Sequence, residues 1–497
     1  MKILKPLMLI FFVSLLTTSC FEDNDDNQIS TNEINDFVWK GMNLFYLYKD
    51  NVPDLANDKF SSDEAYASYL NSFSTPEDLF ESLIYQRTTV DKFSWIVDDY
   101  IALEQSFSGI STSNGMEFTL FLQPNSTTKL IGIVRLVLPN SDAETKGLVR
   151  GDIFNKVDNT ELTIDNYNSL LSRSSYTLSF ANYNTNGTTE NTDDTIEPLN
   201  KTITLNKLEY NENPIFKSEI LTVNGENVGY LMYNGFTANY DTQLNNVFGN
   251  FKNNNVKHLV LDLRYNPGGS VNSAILLASM ITGQFNNEVF STEEWNSEFQ
   301  AAFEQENPEL LINRFKNTLD GNLINSLNLS KVYVIALESS ASASELIINS
   351  LDPYIDVIHI GENTAGKYQA STTLYDSEDF TREGANPNHT YAMQPLIFKS
   401  LNKVGKTDYD NGLTPDIDIS ESYLNLGIIG NENEKLLALA LAEIEGSTTK
   451  TNKIKSENTR KLKPIEDSNS FNRFNNSMYL NKQLPASLLN KINFEQN

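Results

Sequence analysis

The 497-residue chain has a single cysteine, Cys20, and only three histidines, His258, His359 and His389. One thiol excludes an intrachain disulfide and a multi-cysteine metal site, and three scattered imidazoles supply no zinc ligand set. No metal and no other cofactor is expected. Basic residues are also scarce: 37 Lys and Arg stand against 65 Asp and Glu, a formal charge of −28. A phosphate-binding surface needs clustered cations to displace counterions, so nucleic acid is excluded as a partner. The apolar run at residues 7–16 is shorter than the roughly 20 residues that a permanent bilayer helix requires. A hydrophobic content of 39% suits globular units, and the length implies two or three of them.

The amino terminus reads Met1-Lys2-Ile3-Leu4-Lys5-Pro6, then the short apolar run, then Thr17-Thr18-Ser19-Cys20. A basic start, a greasy middle and small residues make a secretory signal over 1–19 that is removed on export. With Cys20 at its end, the pattern resembles bacterial lipoprotein signals, although Thr17 replaces the usual Leu. That resemblance implies lipidation of Cys20 and anchoring to a membrane of the bacterial cell envelope, periplasmic or surface-exposed. Phe21-Glu22-Asp23-Asn24-Asp25-Asp26 opens an acidic tether over 20–30 and resembles the export tags of surface lipoproteins in Bacteroidetes-like bacteria.

Residues 31–104 have helical character. Phe37, Trp39, Met42, Leu44, Phe45 and Leu47 form an apolar face, and Ser74-Thr75-Pro76-Glu77-Asp78 combines a cap, an N1 proline and first-turn acids. This reads as a helical cap domain with a structural role. Over 105–206 the pattern turns to short β runs, such as Gly115 to Leu120 and Leu130 to Val134, between Asn, Thr and Gly punctuation. The stretch from Ser141 to Asp158 resembles the helix-turn-strand signature of PDZ domains, which capture a peptide C-terminus by strand addition. Gly115, Met116, Glu117 and Phe118 best match the loop that would take the peptide tail. Asn184 to Thr195 reads as a hairpin loop. From 207 to 446, apolar runs alternate with helical stretches, as in an α/β core with largely parallel strands. Residues 447–497 are polar and rich in Asn, Lys and Ser, which predicts a loosely ordered, flexible tail.

Three core segments end in turns that carry chemistry. Asp262-Leu263-Arg264-Tyr265-Asn266-Pro267-Gly268-Gly269 runs a strand into a glycine turn able to aim a backbone N–H outward. Ser339-Ser340-Ala341-Ser342-Ala343-Ser344-Glu345 sits between an apolar strand and an amphipathic helix, where a serine hydroxyl meets the positive end of the helix dipole. Gly361-Glu362-Asn363-Thr364-Ala365-Gly366-Lys367-Tyr368-Gln369 places a lysine in a glycine-bounded loop, where desolvation would favour the neutral amine. Taken singly, each has a plain structural reading: an ordinary turn, a helix cap completed by Glu345, a surface lysine.

Together, in this order, they resemble the carboxy-terminal-processing, or tail-specific, serine peptidases over roughly residues 105–446. The resemblance implies an α/β fold with a crotonase-like (ClpP/crotonase-type) peptidase core, with the PDZ-like domain inserted in it or preceding it and the helical cap at the N-terminus. It further implies Ser342 as nucleophile, Lys367 as general base, and the N–H groups of Gly269 and Ala343 as oxyanion donors. Gly412-Leu413-Thr414-Pro415-Asp416 resembles the strand entry near the end of that core. Members often carry a glutamine four residues after the lysine; here that position is Ser371 and the nearest glutamine is Gln369, so either is a candidate to orient the amine. The substrates implied are extracytoplasmic polypeptides that are unfolded or have exposed C-termini. A rival expectation is a catalytically inactive relative that binds peptides or apolar ligands at the surface.

Overall fold

The computed structural model describes residues 31–456, 460, 462–471 and 478–480. The signal, Cys20 and the acidic tether therefore lie outside the described residues. Among those described, no helix is long and apolar enough to cross a membrane.

The front end is helical, as its pattern predicts. Helices Thr31–Phe45, Asp63–Leu70 and Pro76–Ser82 each show a sequence-readable cause. Ser62 and Thr75 cap the second and third by accepting backbone N–H groups, and Pro76 occupies the first turn, where its missing donor costs nothing. Phe37, Val38, Met42 and Phe45 are buried and share one apolar core with the main sheet. The front end is therefore packed into the molecule. Its last strand, Trp95–Val97, pairs antiparallel with Ala392–Gln394.

The central sheet has six strands in the order Ile215–Val223, Glu226–Tyr233, His258–Asp262, Lys331–Ala336, Asp356–Gly361 and Ile417–Asp418. All but the first are mutually parallel. Their near-continuous apolar runs follow from this position, because crossover helices cover a parallel sheet on both faces. Helices Asp241–Asn253, Val271–Thr282 and Ala343–Leu351 supply the crossovers close to where the sequence pattern puts them.

A separate β-rich unit is built on the meander Met116–Leu122, Leu130–Val137, Ile153–Val157, Ser175–Asn184 and Thr195–Asn206, with the short helix Tyr167–Leu171 against it. The Asn184 to Thr195 hairpin loop is present, with those two residues as its closing pair.

Where the structure describes it, the end of the chain departs from expectation. Instead of a flexible tail, Thr448–Ser456 is helical, Pro464–Asp467 pairs antiparallel with Met116–Leu122, and Met478–Tyr479 lies inside a second six-stranded sheet. There it sits between Gly269–Ser270 and Gln369–Ser371. Composition predicts disorder from the segment's own polarity, but an extended chain of any composition can satisfy its backbone on unpaired strand edges.

Candidate active site

Gly269, Ser342 and Lys367 all follow the carboxyl ends of three adjacent parallel strands, His258–Asp262, Lys331–Ala336 and Asp356–Gly361. The crevice outside those strand ends is where an open α/β sheet gathers its functional loops.

Backbone carbonyls of the first loop hold the second. Asn266 donates to the Tyr233 carbonyl at 2.8 Å and accepts the Gly268 N–H at 2.9 Å, while its own carbonyl takes the Ala341 N–H and the Ser344 hydroxyl. Ser339 and Ser340 donate to the carbonyls of Arg264 and Leu263, each at 2.7 Å. Arg264 is fully buried and bonds Asp262, Glu421 and Glu434. Burial opposes ionisation of Glu421, but Arg150 and Arg264 outweigh it and hold that carboxyl down at about 2. Gly269 has φ +132°, and a Cβ there would lie 2.4 Å from the Phe236 carbonyl oxygen, so only glycine fits the turn.

Ser342 is fully buried and starts the helix Ala343–Leu351 in an unusual conformation, φ 66° and ψ −114°. A non-glycine residue held there stores backbone strain, which proteins retain mainly at functional positions. Its Oγ has no hydrogen-bond partner among the described residues. Ala343, also buried, is the first helical residue, so its N–H belongs to the unsatisfied first turn.

Lys367 is 1% exposed, and burial pushes its pKa down to about 7, against the opposing pull of Asp91 and Glu345. Its Nζ lies 5.0 Å from the centroid of the Phe93 ring. Gly366, with φ +87°, packs so close to Asp410 that a Cβ would sit 2.4 Å from a carbonyl oxygen.

Glu345 ties the two loops together. One carboxylate oxygen accepts the backbone N–H groups of Ser342 and Lys367, both at 2.8 Å. The other accepts the Gly366 N–H at 2.7 Å and the Thr364 hydroxyl at 2.5 Å. Burial raises its pKa to about 7 even though all four donors favour the ionised form. The sequence marks Glu345 only as a helix cap; that one residue would also bind a loop 22 positions on has no local signal.

The helical front end also reaches the site. Asp91 is fully buried, accepts the Tyr46 hydroxyl at 2.7 Å, and is the first of the two carboxylates opposing the Lys367 shift. Gln369 donates to the Tyr48 hydroxyl at 3.0 Å, and its Oε1 has no hydrogen-bond partner among the described residues. Ser371 donates to Gln394 Oε1 at 2.6 Å and to the Met478 carbonyl at 3.2 Å. The purely structural role expected for residues 31–104 is thereby too narrow.

The four tail-loop candidates lie apart from this cluster, at the start of the Met116–Leu122 strand. Gly115, φ +79°, abuts Ser141, where a Cβ would come within 2.0 Å. Met116 donates its N–H to Asn114 Oδ1, Glu117 pairs with Arg135, and the Phe118 N–H donates to Ser468 Oγ. The three histidines stand elsewhere: His258 on Glu226, His389 on Asp376, and His359 buried against the Ala336 carbonyl. Among the described residues no cluster could hold a metal ion.

A buried serine at a strained helix start and a buried lysine, joined through one carboxylate at the rim of a parallel sheet, form a candidate hydrolytic centre. Family models agree with that class. Residues 33–95 match the peptidase S41 N-terminal domain and residues 227–419 match peptidase family S41, together about half of the chain. The chain belongs to peptidase family S41. It is 24% identical over 345 residues to a carboxyl-terminal-processing protease of Picosynechococcus sp., covering 69% of this chain and 73% of the relative. It is 26% identical over 204 residues to a CtpA-like protein of Staphylococcus epidermidis assigned to the serine proteases, covering 41% of this chain but only 36% of that relative. A crystal structure of a Bacteroides fragilis protein assigned to the S41 proteases superimposes with a TM-score of 0.64 at 27% identity, covering 82% of this chain and 97% of that one.

Proposed function

We propose that the protein is a serine endopeptidase acting on extended polypeptides through Ser342 and Lys367. The observation that carries this reading is the Glu345 carboxylate, which holds the Ser342 and Lys367 backbones on one oxygen while burial keeps the lysine close to neutrality. A neutral amine can remove the hydroxyl proton at ordinary pH, whereas a solvated lysine cannot.

In this mechanism Lys367 Nζ accepts the Ser342 proton as Oγ attacks the scissile carbonyl carbon. The carbonyl oxygen becomes an oxyanion that takes hydrogen bonds from the N–H groups of Gly269 and Ala343. Collapse breaks the C–N bond, and Lys367 returns the proton to the leaving amine. Water, deprotonated by the same amine, then attacks the Ser342 ester and releases the carboxylic acid. The assembly is a crotonase-like core with a PDZ-like domain that presents exposed polypeptide C-termini to it. On the lipoprotein reading, Cys20 anchors the chain to the envelope and the substrates are extracytoplasmic. Replacing Ser342 by Ala should lower turnover of an unfolded protein by about 10⁴-fold or more. Equal turnover by Ser342→Ala protein would remove Ser342 as the nucleophile, and no turnover by either protein would favour a binding protein instead.

A further inference from the structure

The carboxy-terminal segment lies where a ligand of the β-rich unit would lie. Pro464, Glu466 and Asp467 pair with Phe121, Leu120 and Thr119 by antiparallel strand addition to an otherwise open edge. One residue further, Ser468 Oγ accepts the Phe118 N–H at 3.1 Å. The Phe471 ring then packs against Phe118 and Tyr167, with ring centroids 5.7 and 6.1 Å away, between the strand and the short helix.

Arg135 gives this groove its charge selectivity. It is 1% exposed, its Nη1 bonds Asp467 Oδ2 at 2.9 Å, and its Nε meets Glu117 at 3.3 Å. Its Nη2 is buried with no hydrogen-bond partner among the described residues. A buried guanidinium with a spare donor favours carboxylates and penalises neutral segments that would leave it unpaired.

None of the side chains from 464 to 471 is fully buried, whereas Met478 and Tyr479 further along are. A short strand with half-exposed side chains belongs to the low-stability end of a structure and opens readily. A cavity of about 970 Å³ separates this strand from the core and is lined by Arg135, Asp467, Ser339 and Ala365, the last two on the loops of Ser342 and Lys367. The cavity thus borders the loops that carry Ser342 and Lys367, while neither of those two residues lines it.

We propose that the Met116–Leu122 edge recognises extended polypeptide segments with an acidic residue and, four positions later, an aromatic one, and that residues 464–471 are a resident copy an incoming polypeptide displaces. The inference deepens the peptidase reading and rests on it for the fate of the bound segment, but its test reads binding alone. The test uses the full chain carrying Ser342→Ala and Cys20→Ser, with Thr119→Cys and Asp467→Cys at directly opposed positions, which lie within disulfide reach in an antiparallel pair. The probe is a fluorescein-labelled peptide with the sequence of residues 462–471. A tethered occupant competes at an effective concentration near millimolar. Reduction should thus free the edge and tighten peptide binding at least tenfold by anisotropy, with reoxidation reversing it on the same folded molecule. Peptides with Ala in place of the aspartate or the phenylalanine should bind the reduced protein at least tenfold more weakly. Equal binding in both redox states, no binding in either, or undiminished binding of the Ala peptides would overturn the proposal. Such a result beside normal turnover by protein with an intact Ser342 would leave the peptidase reading standing.

Discussion

Lys367 and Ser342 depart from their ordinary chemistry for different reasons. The lysine is shifted mainly by burial, so on the proposed mechanism its active form is the neutral amine and its inactive form the ammonium. Deprotonation activates it; kcat/KM should therefore rise with pH and level off, with an inflection near pH 7 on a substrate without titratable groups. A flat profile from pH 6 to 9 would remove Lys367 as the base. The serine is strained in its backbone, and its buried hydroxyl has no hydrogen-bond partner among the described residues. Glycine tolerates φ 66° and carries no hydroxyl, so Ser342→Gly should abolish turnover yet gain about 1 kcal/mol in urea denaturation. A loss of stability would mean that the side chain is packed for the fold and not retained for reaction.

At the scale of elements, the turn after His258–Asp262 is the frame on which the Ser342 loop is hung. Arg264 is its buried anchor, bridging three carboxylates from the strand end, from Glu421 and from Glu434. Removing the cation while leaving the acids costs far more than the pair contributes, since carboxylates are then buried unpaired. Arg264→Met should therefore destabilise the protein by about 3–5 kcal/mol, seen as a lower urea midpoint, and should reduce turnover by loosening Ser339 on the Arg264 carbonyl. The strand-to-helix junctions themselves were visible in the sequence, because apolar runs, glycines at special φ and Ser/Glu caps are local signals. Which carbonyl each loop serine would reach was not, because Ser339 and Ser340 bond residues 75 and 77 positions away.

Across the whole molecule, the helical front end acts on the proposed base, Lys367. Asp91 arrives from a segment 276 positions before Lys367 and opposes the effect of burial on the amine. Asp91→Asn keeps an acceptor for the Tyr46 hydroxyl but removes the charge, so the Lys367 pKa should fall further. The inflection of the pH–rate profile should move to lower pH, while kcat on the plateau changes little. An unmoved or upward-shifted inflection would disconnect the cap from the chemistry.

Ser342, Lys367, Gly269 and Ala343 were legible as a set because each sits at a strand end, and strand ends are written in local hydrophobic pattern and turn residues. The parallel core and its crossover helices were readable for the same reason. The roles of Glu345 and Asp91 and the docking of the tail were decided only by the folded chain. A carboxylate's partners, and the edge to which a polar strand adds, depend on backbone groups brought close by packing and not on the residues beside them in sequence. Residues 464–471 look like a disordered tail by composition. They become a strand because Met116–Leu122 has an open edge and Arg135 beneath it a charge to satisfy.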